Sequence, residues 1–226
     1  MKKTITFISD THTKHKQVAD YLPGGDILIH CGDISNQGYM NEIKQFLDWF
    51  DGIKGYEHKV FIAGNHDFGF QDNPQECAVM LENYPTVTYL QDMAYIIDGI
   101  KIYGTPWQPR FYDWAFNVER GEAIAEKWKT IPDDTDILLT HGPVFGILDQ
   151  TYTGQRAGCE ELYKKVMDVK PKIHACGHIH YARHIKQVDE TVFVNACCLG
   201  EDYKYQNAPI TIEYDFETKN WDIITH

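Results

Sequence analysis

Short apolar runs that end abruptly in polar clusters recur along this chain of 226 residues. The runs begin at Ile5, Ile27, Val60, Ile137 and Ile173. Each has the length and the content of β-branched or aliphatic side chains that are typical of a buried strand. Residues such as Asp, Asn and His follow each run directly. The pattern therefore predicts a sheet whose strands lead into polar loops.

Helical periodicity separates several of these predicted strands. Apolar residues recur on one helix face over 43–50, ahead of Gly52, and over 162–169, ahead of Pro171. A third helix is expected over about 119–129. Alternation of strands and helices predicts an α/β fold in which much of the sheet is parallel.

Two segments predict antiparallel hairpins within that fold. Asp98-Gly99 lies between two apolar stretches and has the sequence of a tight hairpin turn. The segment 210–224 resembles a second hairpin. The length suits one substantial domain or two very small ones. Because no repeat, low-complexity tract or long linker is present, we expect a single domain over residues 1–226.

The overall charge and the cysteine pattern narrow the functional classes. The formal net charge is −12, which repels polyanions and disfavours long nucleic acid as the substrate. The apolar run near the start is too short for an export signal, and no stretch approaches a membrane span. The six cysteines lack the spacing of a disulfide framework or a zinc site. We therefore expect a cytoplasmic protein with reduced thiols that does not contact a membrane.

The polar clusters carry the candidate chemistry. They follow the carboxyl ends of the predicted strands, where ligands bind in open α/β sheets. Within two clusters, a spacing of two residues lets both side chains lean toward one ion, and two other candidates follow a glycine that permits a sharp turn. The expected metal ligands are Asp10, His12, Asp33, Asn65, His141, His178 and His180.

Oxygen and imidazole ligands of this kind suit Mn²⁺, Fe or Zn²⁺ better than Ca²⁺. One shared carboxylate would hold two ions ~3.5–4 Å apart, the arrangement that promotes in-line displacement at phosphorus. His66 is the candidate proton donor to the leaving oxygen, and Asp67 is expected to orient its ring. Any single cluster could equally be a helix cap or a turn, but five clusters at five strand ends favour a metal site.

The ordered motifs resemble those of the calcineurin-like metallophosphoesterases. They are Asp10-x-His12, Gly32-Asp33, Gly64-Asn65-His66-Asp67, Thr140-His141-Gly142 and Gly177-His178-x-His180. The segments 104–109 and 114–117 resemble a small branch of that superfamily, the metallophosphoesterase-domain-containing proteins. Some members of that branch are described as cyclic-nucleotide phosphodiesterases.

The resemblance implies a fold, a ligand set and a mechanism. The implied fold is a β-sandwich of two mixed sheets flanked by helices, in four αββα layers. It implies two divalent ions, with Mn²⁺ expected and Fe, Zn²⁺ and Mg²⁺ as alternatives, and attack by a metal-bridging hydroxide with His66 as the catalytic histidine. Asp33 would bridge the ions. One ion would be held by Asp10, His12, Asp33 and His180, and the other by Asp33, Asn65, His141 and His178.

The sequence departs from the pattern of relatives in two motifs. Asn36 stands where many relatives have a second aspartate, but that position is not a ligand. Ala63 and Asp67 stand where Ser/Thr protein phosphatases have an arginine and a glutamate around Gly-Asn-His. The missing arginine argues against a phosphoprotein monoesterase.

A segment rich in aromatic residues, 107–117, lies between the two halves of the expected metal site. Its rings could stack on a nucleobase and its arginine could hold a phosphate, or the segment could be a loop packed into the core. The candidate substrate-binding residues are Trp107, Arg110, Trp114 and Asn117.

Three hypotheses about function follow. The first is a phosphodiesterase acting on a small diester, including cyclic nucleotides. The second is a phosphomonoesterase or nuclease on the same metal core. The third is a non-catalytic metal-binding scaffold, which the intact ligand set disfavours. The expected partner is a small phosphate ester, and a homo-oligomer is compatible with the sequence.

Overall fold

The computed structural model describes residues 1–225, which contain two six-stranded sheets and one two-stranded sheet. The strands are β1 (Lys2–Ile8), β2 (Gly25–His30), β3 (Tyr56–Phe61), β4 (Val87–Tyr89), β5 (Met93–Ile97), β6 (Ile100–Thr105), β7 (Gln108–Pro109), β8 (Asn117–Val118), β9 (Ile137–Thr140), β10 (Ile173–Cys176), β11 (His184–Val188), β12 (Thr191–Asn195), β13 (Ile210–Asp215) and β14 (Trp221–Thr225).

Both large sheets are mixed. The first has the order β14-β13-β1-β2-β3-β4, in which β1 to β4 are parallel and the β13–β14 hairpin pairs antiparallel to β1. The second has the order β11-β12-β10-β9-β6-β5, in which the four central strands are parallel. An antiparallel strand closes each edge of this second sheet. Strands β7 and β8 form the small sheet.

Within residues 1–225, five α-helices lie between these strands. They are α1 (Met40–Gly52), α2 (Phe68–Asp72), α3 (Pro74–Leu81), α4 (Glu122–Trp128) and α5 (Glu160–Val169). The apolar face of α1 packs Phe46 and Phe50 against Phe61 of β3, with ring centroids 5.2 and 6.1 Å apart. Among the helices of residues 1–225, none combines the length and the apolar composition needed to cross a membrane.

Three apolar clusters hold the layers together. The largest fills the space between the sheets, where Ile5 and Ile27 of the first sheet and Ile137 and Ile173 of the second are buried. A second cluster joins the first sheet to α1 and α3, and a third joins the second sheet to α4 and α5. Burial of apolar surface on both faces of each sheet accounts for the continuous apolar runs of the central strands.

The predicted α/β fold, a β-sandwich in four layers, is confirmed. The hairpins at Asp98-Gly99 and over 210–224 form, and the five apolar runs are β1, β2, β3, β9 and β10. The third predicted helix is shorter than expected, because Gly121 adopts a φ of 81° and α4 begins only at Glu122. The sequence did not identify the edge strands β4 and β11, the adjacent strand β12, the small sheet of β7 and β8, or the helices α2 and α3.

A buried histidine on β10 couples stability to pH. The Nε2 atom of His174 lies 2.8 Å from Oγ1 of Thr140, whose hydroxyl donates to the Gly142 carbonyl oxygen at 2.7 Å, so Nε2 is the donor. Within residues 1–225 the buried Nδ1 atom has no hydrogen-bond partner. Burial lowers the pKa of His174 to about 3.

We expect His174→Gln to reduce the sensitivity of the fold to acid. An unfolded histidine has a pKa of about 6.5, so the unfolded state binds the proton first as the pH falls, and the free energy of unfolding decreases between about pH 6.5 and about pH 3. Between pH 7 and pH 5 this single site accounts for a loss of about 2 kcal/mol. The glutamine can still donate to Thr140 but does not titrate. Urea unfolding at pH 7 and at pH 5 measures the loss in the free energy of unfolding.

If His174→Gln and the wild type lost the same free energy between pH 7 and pH 5, His174 would not be the neutral buried group described above.

Candidate metal centre

The ends of the central strands bring the predicted ligands together at one edge of the sandwich. The backbone there is strained, since residues other than glycine rarely adopt a positive φ. Four of the seven predicted ligands do so, and their φ values are 54° for Asp10, 41° for His12, 56° for Asp33 and 67° for His178. The sharp turns therefore lie at the candidate ligands themselves.

Two glycines allow this close approach. A Cβ atom at Gly64 would lie 2.3 Å from Oδ1 of Asp33 and 2.7 Å from Cε1 of His141. A Cβ atom at Gly177 would lie 2.1 Å from Oδ2 of Asp10. Any larger residue at either position would displace a candidate ligand.

Asp33 lies at the centre of the arrangement. Its Oδ2 atom is 3.6 Å from Nε2 of His12 and 3.4 Å from Nε2 of His141. Ligand atoms of His12, Asp33 and His66 lie within 4.8 Å of one another, and so do those of Asp33, His141 and His178. Asp33 thus belongs to two groups that could each hold a cation.

The remaining candidates flank these groups. Oδ1 of Asp10 is 3.3 Å from Nε2 of His180, and the Cys197 thiol donates to Oδ2 of Asp10 at 3.2 Å. On the other side, Oδ1 of Asn65 is 2.9 Å from Nε2 of His141. The structure therefore brings all seven predicted ligands into one cluster.

Backbone carbonyls orient three of the imidazoles. Because a carbonyl oxygen only accepts, the Nδ1 atoms of His12, His141 and His180 must donate, which leaves Nε2 of each ring directed at a carboxylate. The accepting oxygens belong to Ser35 at 3.1 Å, Cys31 at 2.9 Å and Gly200 at 3.0 Å, respectively. Nε2 of His12 is buried and has no hydrogen-bond partner among residues 1–225.

Strong electrostatic coupling accompanies this burial. Burial alone would raise the pKa values of Asp10 and Asp33, but neighbouring histidines outweigh it and hold both well below the usual range. In turn, these carboxylates overcome the effect of burial on His141 and His180 and raise the pKa of each to about 9. Two buried carboxylates thus require positive charge beside them.

The residues fit a divalent cation. A buried imidazole nitrogen without a partner, His12 Nε2, faces two groups of oxygen and nitrogen donors that share Asp33. Carboxylate, amide and imidazole donors together suit first-row transition metals, and the orienting carbonyls around the histidines are typical of metal sites.

His66 projects into the same cluster from the loop after β3. Its backbone N–H donates to Oδ1 of Asp33 at 2.8 Å, and its Nδ1 atom lies 2.8 Å from the carbonyl oxygen of Asn36. The Trp114 ring lies against the imidazole, with centroids 4.0 Å apart and an interplanar angle of 32°. Nε2 is therefore the nitrogen left free to exchange a proton.

The sequence predicts that Asp67 orients the ring of His66, but in the structure Asp67 has other partners. It is buried, and its oxygens accept four hydrogen bonds, from the N–H and hydroxyl of Ser35, at 3.0 and 2.6 Å, and from the N–H groups of Ile34 and Gly64, at 3.2 and 2.8 Å. Asp67 therefore joins the loops after β2 and β3, and the carbonyl of Asn36 orients His66 instead. Burial and the nearby Asp33 raise the pKa of Asp67 to about 6.

A cavity of about 330 Å³ opens over the cluster. Its walls are formed by candidate ligands, by aromatic side chains and by a loop after β9. The lining residues are Asp33, Asn65, His66, Phe111, Thr151, Tyr152, Thr153, Gln155, Ala157, His178, Ile179, His180, Glu201 and Tyr203.

The predicted substrate residues of segment 107–117 contact other protein groups and do not line this cavity. Nε1 of Trp107 donates to Asp92 at 2.8 Å, and Arg110 pairs with Asp113 and Glu119. The Asn117 side chain bonds to backbone groups of Phe111 and Tyr112. Trp107 and Asn117 are half-buried and Arg110 is exposed, so these three side chains neither line the cavity nor lie in the core, whereas Trp114 contacts His66.

Several cavity residues were not among the candidate substrate-binding residues, although one of them, Phe111, belongs to the aromatic segment 107–117. The rings of Phe111 and His178 pack edge to face, with centroids 5.6 Å apart. The ring centroid of Tyr203 lies 4.9 Å from that of His12 and 5.1 Å from that of His180. Tyr203 and Cys197 follow β12, an apolar run of the same kind as the five predicted strands. Both residues could therefore have been proposed as candidates from the apolar run that precedes them.

Comparison with known proteins agrees with this geometry. The family model for calcineurin-like phosphoesterases matches residues 3–182. Metallophosphoesterase domain-containing protein 1 of Homo sapiens is 39% identical over 228 aligned residues, which cover 91% of this chain and 69% of that protein. A cAMP/cGMP dual specificity phosphodiesterase of Mycobacterium tuberculosis is 25% identical over 183 residues, which cover 78% of this chain and 56% of that protein.

A solved structure, TT1561 of Thermus thermophilus, is similar in fold, with a TM-score of 0.63 at 12% identity over 100% of this chain and 99% of that one. The family match extends over most of the chain, and the ordered motifs meet in one cluster at the edge of the expected sandwich. The chain therefore belongs to the calcineurin-like phosphoesterase family, a family of metal-dependent phosphate-ester hydrolases.

Proposed function

We propose that this chain is a two-metal phosphodiesterase that hydrolyses a small diester. The observation that carries the proposal is the membership of Asp33 in two ligand groups. A carboxylate shared in this way is the feature that holds a pair of ions over one phosphoryl group in two-metal hydrolases.

The family resemblance assigns the residues that would hold the ions. These sets include members of each cluster and leave His66, which belongs to one of them, for proton transfer. The ions are divalent, with Mn²⁺ expected and Fe, Zn²⁺ and Mg²⁺ as alternatives. When bound, they supply positive charge at the phosphoryl oxygens and lower the pKa of a water molecule. One ion would be held by Asp10, His12, Asp33 and His180, and the other by Asp33, Asn65, His141 and His178.

The protein itself positions a proton donor. Nδ1 of His66 donates to the carbonyl oxygen of Asn36, so the imidazolium form carries its second proton on Nε2 and can give that proton to the leaving oxygen. The Trp114 ring restricts rotation of the imidazole, and the backbone bond to Asp33 fixes its loop relative to the ligands. Asp67 supports catalysis indirectly, by joining the two loops that carry Asp33 and His66.

The charge of the cavity favours a diester over a monoester. Its described lining residues include two carboxylates, of Asp33 and Glu201, and neither a lysine nor an arginine. A phosphomonoester carries about −1.5 to −2 charges near neutral pH, more than the single charge of a diester, and so needs cationic side chains that this lining does not supply. The similarity to a cAMP/cGMP phosphodiesterase also supports a diester as the substrate.

Aromatic walls favour a diester for a second reason. Phe111 lies beside His178 on one side of the cluster, and Tyr203 lies beside His12 and His180 on the other. A diester has two substituents, and each wall offers an apolar face on which one of them can pack. A nuclease acting on long polymers remains disfavoured by the net charge of −12. Cytoplasmic location, a homo-oligomer and a single domain stay predictions.

Hydrolysis of two model esters tests the proposal. With Mn²⁺ present, we expect turnover of bis(p-nitrophenyl) phosphate to exceed that of p-nitrophenyl phosphate, because the cavity lining supplies no lysine or arginine to a dianion. EDTA should abolish both activities. A preference for the monoester would indicate a phosphatase, and no turnover with any divalent metal would favour a scaffold.

Substitution at His66 separates proton transfer from metal binding. We expect His66→Ala to lower kcat by ~10²–10⁴, the usual contribution of one acid–base group, while the metal content stays at the wild-type value. In contrast, Asp33→Asn should lower both metal content and activity, because it alters the shared ligand. Metal analysis of the purified variants measures the difference, and loss of metal from His66→Ala would contradict its assigned role.

The aromatic wall at Phe111 should contribute to substrate binding. We expect Phe111→Ala to raise KM for bis(p-nitrophenyl) phosphate by about two- to tenfold, the contribution of one aromatic contact. The neighbouring Tyr112, which is 75% exposed and does not line the cavity, provides a matched control as Tyr112→Ala. An equal effect of both variants would show that the loop acts through its fold alone.

A further inference from the structure

A second cavity lies on the far side of the loop that borders the metal centre. Its volume is about 290 Å³, and Arg156, Arg183, His184 and Lys186 line it together with Asp149. Three of these side chains are permanently cationic near neutral pH, in a chain whose net charge is −12. Lysine and arginine side chains therefore line this cavity but not the cavity over the metal ligands.

The positive charge of this second cavity is only partly balanced. Asp149 is buried and pairs with Nη1 of Arg156 at 2.6 Å, and its other oxygen accepts from the N–H groups of Gly146 and Gly158 at 2.9 and 3.2 Å. Across residues 1–225, neither Arg183 nor Lys186 has a carboxylate within 4.0 Å.

Arg183 also has unused donor capacity. A guanidinium carries five N–H donors, and Nη2 of Arg183 donates to the carbonyl oxygen of Ala208 at 2.9 Å. Its Nε atom is buried and has no hydrogen-bond partner in the part of the chain that the structure describes. An anion in the cavity cannot reach this buried atom, but Nη2 makes one hydrogen bond, so the remaining Nη hydrogens are left to donate to an anion.

The backbone explains why the two cavities are separate. Ile185 of β11 packs toward the core between the sheets, so the alternating residues His184 and Lys186 face the opposite side. Gln155 and Ala157 line the metal cavity. Arg156, which lies between them in the chain, lines the second cavity. The same loop thus forms a wall of both cavities.

We propose that the second cavity binds a phosphate group, at a site distinct from the metal centre. Two arginines and a lysine match the charge and the oxygen acceptors of a phosphate, and arginine can bind it in a bidentate manner. The phosphate belongs either to a remote part of a substrate that spans the loop or to a free phosphorylated molecule.

Titration of the Mn²⁺-loaded enzyme with inorganic phosphate tests the site by calorimetry. We expect two classes of binding, one at the metals and one in the second cavity. Lys186→Gln should weaken the second class by about three- to tenfold, and Lys186→Glu should weaken it further, because each removes or reverses a charge that faces the anion. Turnover of bis(p-nitrophenyl) phosphate, which has no remote phosphate, should be unchanged.

Lys54 is exposed and lies outside both cavities, so Lys54→Gln provides a control with the same change of charge. A single class of phosphate binding, or the same isotherm for Lys186→Glu, Lys54→Gln and the wild type, would overturn the proposal. This binding measurement does not depend on the enzyme's activity toward diesters.

The source of the phosphate is resolved with a dinucleotide diester prepared with and without a terminal phosphate. If the cavity holds part of the substrate, Lys186→Gln raises KM for the phosphorylated diester alone. If it holds a free anion, KM for both diesters is unchanged while the second class of phosphate binding is weakened.

Discussion

The buried carboxylate of Asp33 is the constraint on which the rest of the site depends. The residue is only 2% exposed, its backbone has a φ of 56°, and its carboxylate lies within 4 Å of imidazole nitrogens from two different strand ends. A buried negative charge is tolerated only beside donors and cations. The N–H of His66 and the imidazoles of His12 and His141 meet that requirement in part, and a divalent cation would meet it more fully.

The contacts that compensate the buried carboxylates also join the two sheets. Asp10 follows β1 of the first sheet and accepts from the N–H of His178, which follows β10 of the second, at 3.1 and 3.0 Å. Asp33 follows β2, and its partner His141 follows β9. The site is therefore built across the open edge of the sandwich, and the packing of the sheets sets the distances between its ligands. Strain at Asp10 and Asp33 is tolerated because both sheets hold the loops in place.

The sequence predicted those features that are local. An apolar run followed by Asp or His identifies a strand and the ligand at its end, so Asp10, Asp33 and His141 could be found without knowledge of the fold. The partner of Asp67 could not be found from the sequence, because Asp67 bonds to Ser35, a residue 32 positions away on another loop. Arg110 was predicted to face the substrate, but it pairs with Asp113 three residues along the chain and with Glu119, which the pairing of β7 with β8 brings beside it. Tyr203 was missed because β12 was not identified as a strand.

Charge is distributed unevenly between the two cavities, and that distribution has a functional consequence. The described residues around the metal ligands provide carboxylates and aromatic rings, whereas Arg156, Arg183 and Lys186 lie across the loop. A phosphoryl group beside Asp33 thus depends on bound metal for its positive charge. A phosphate elsewhere on the same molecule would have its own cationic site. Net charge alone conceals this separation, because −12 is a sum over regions of opposite sign.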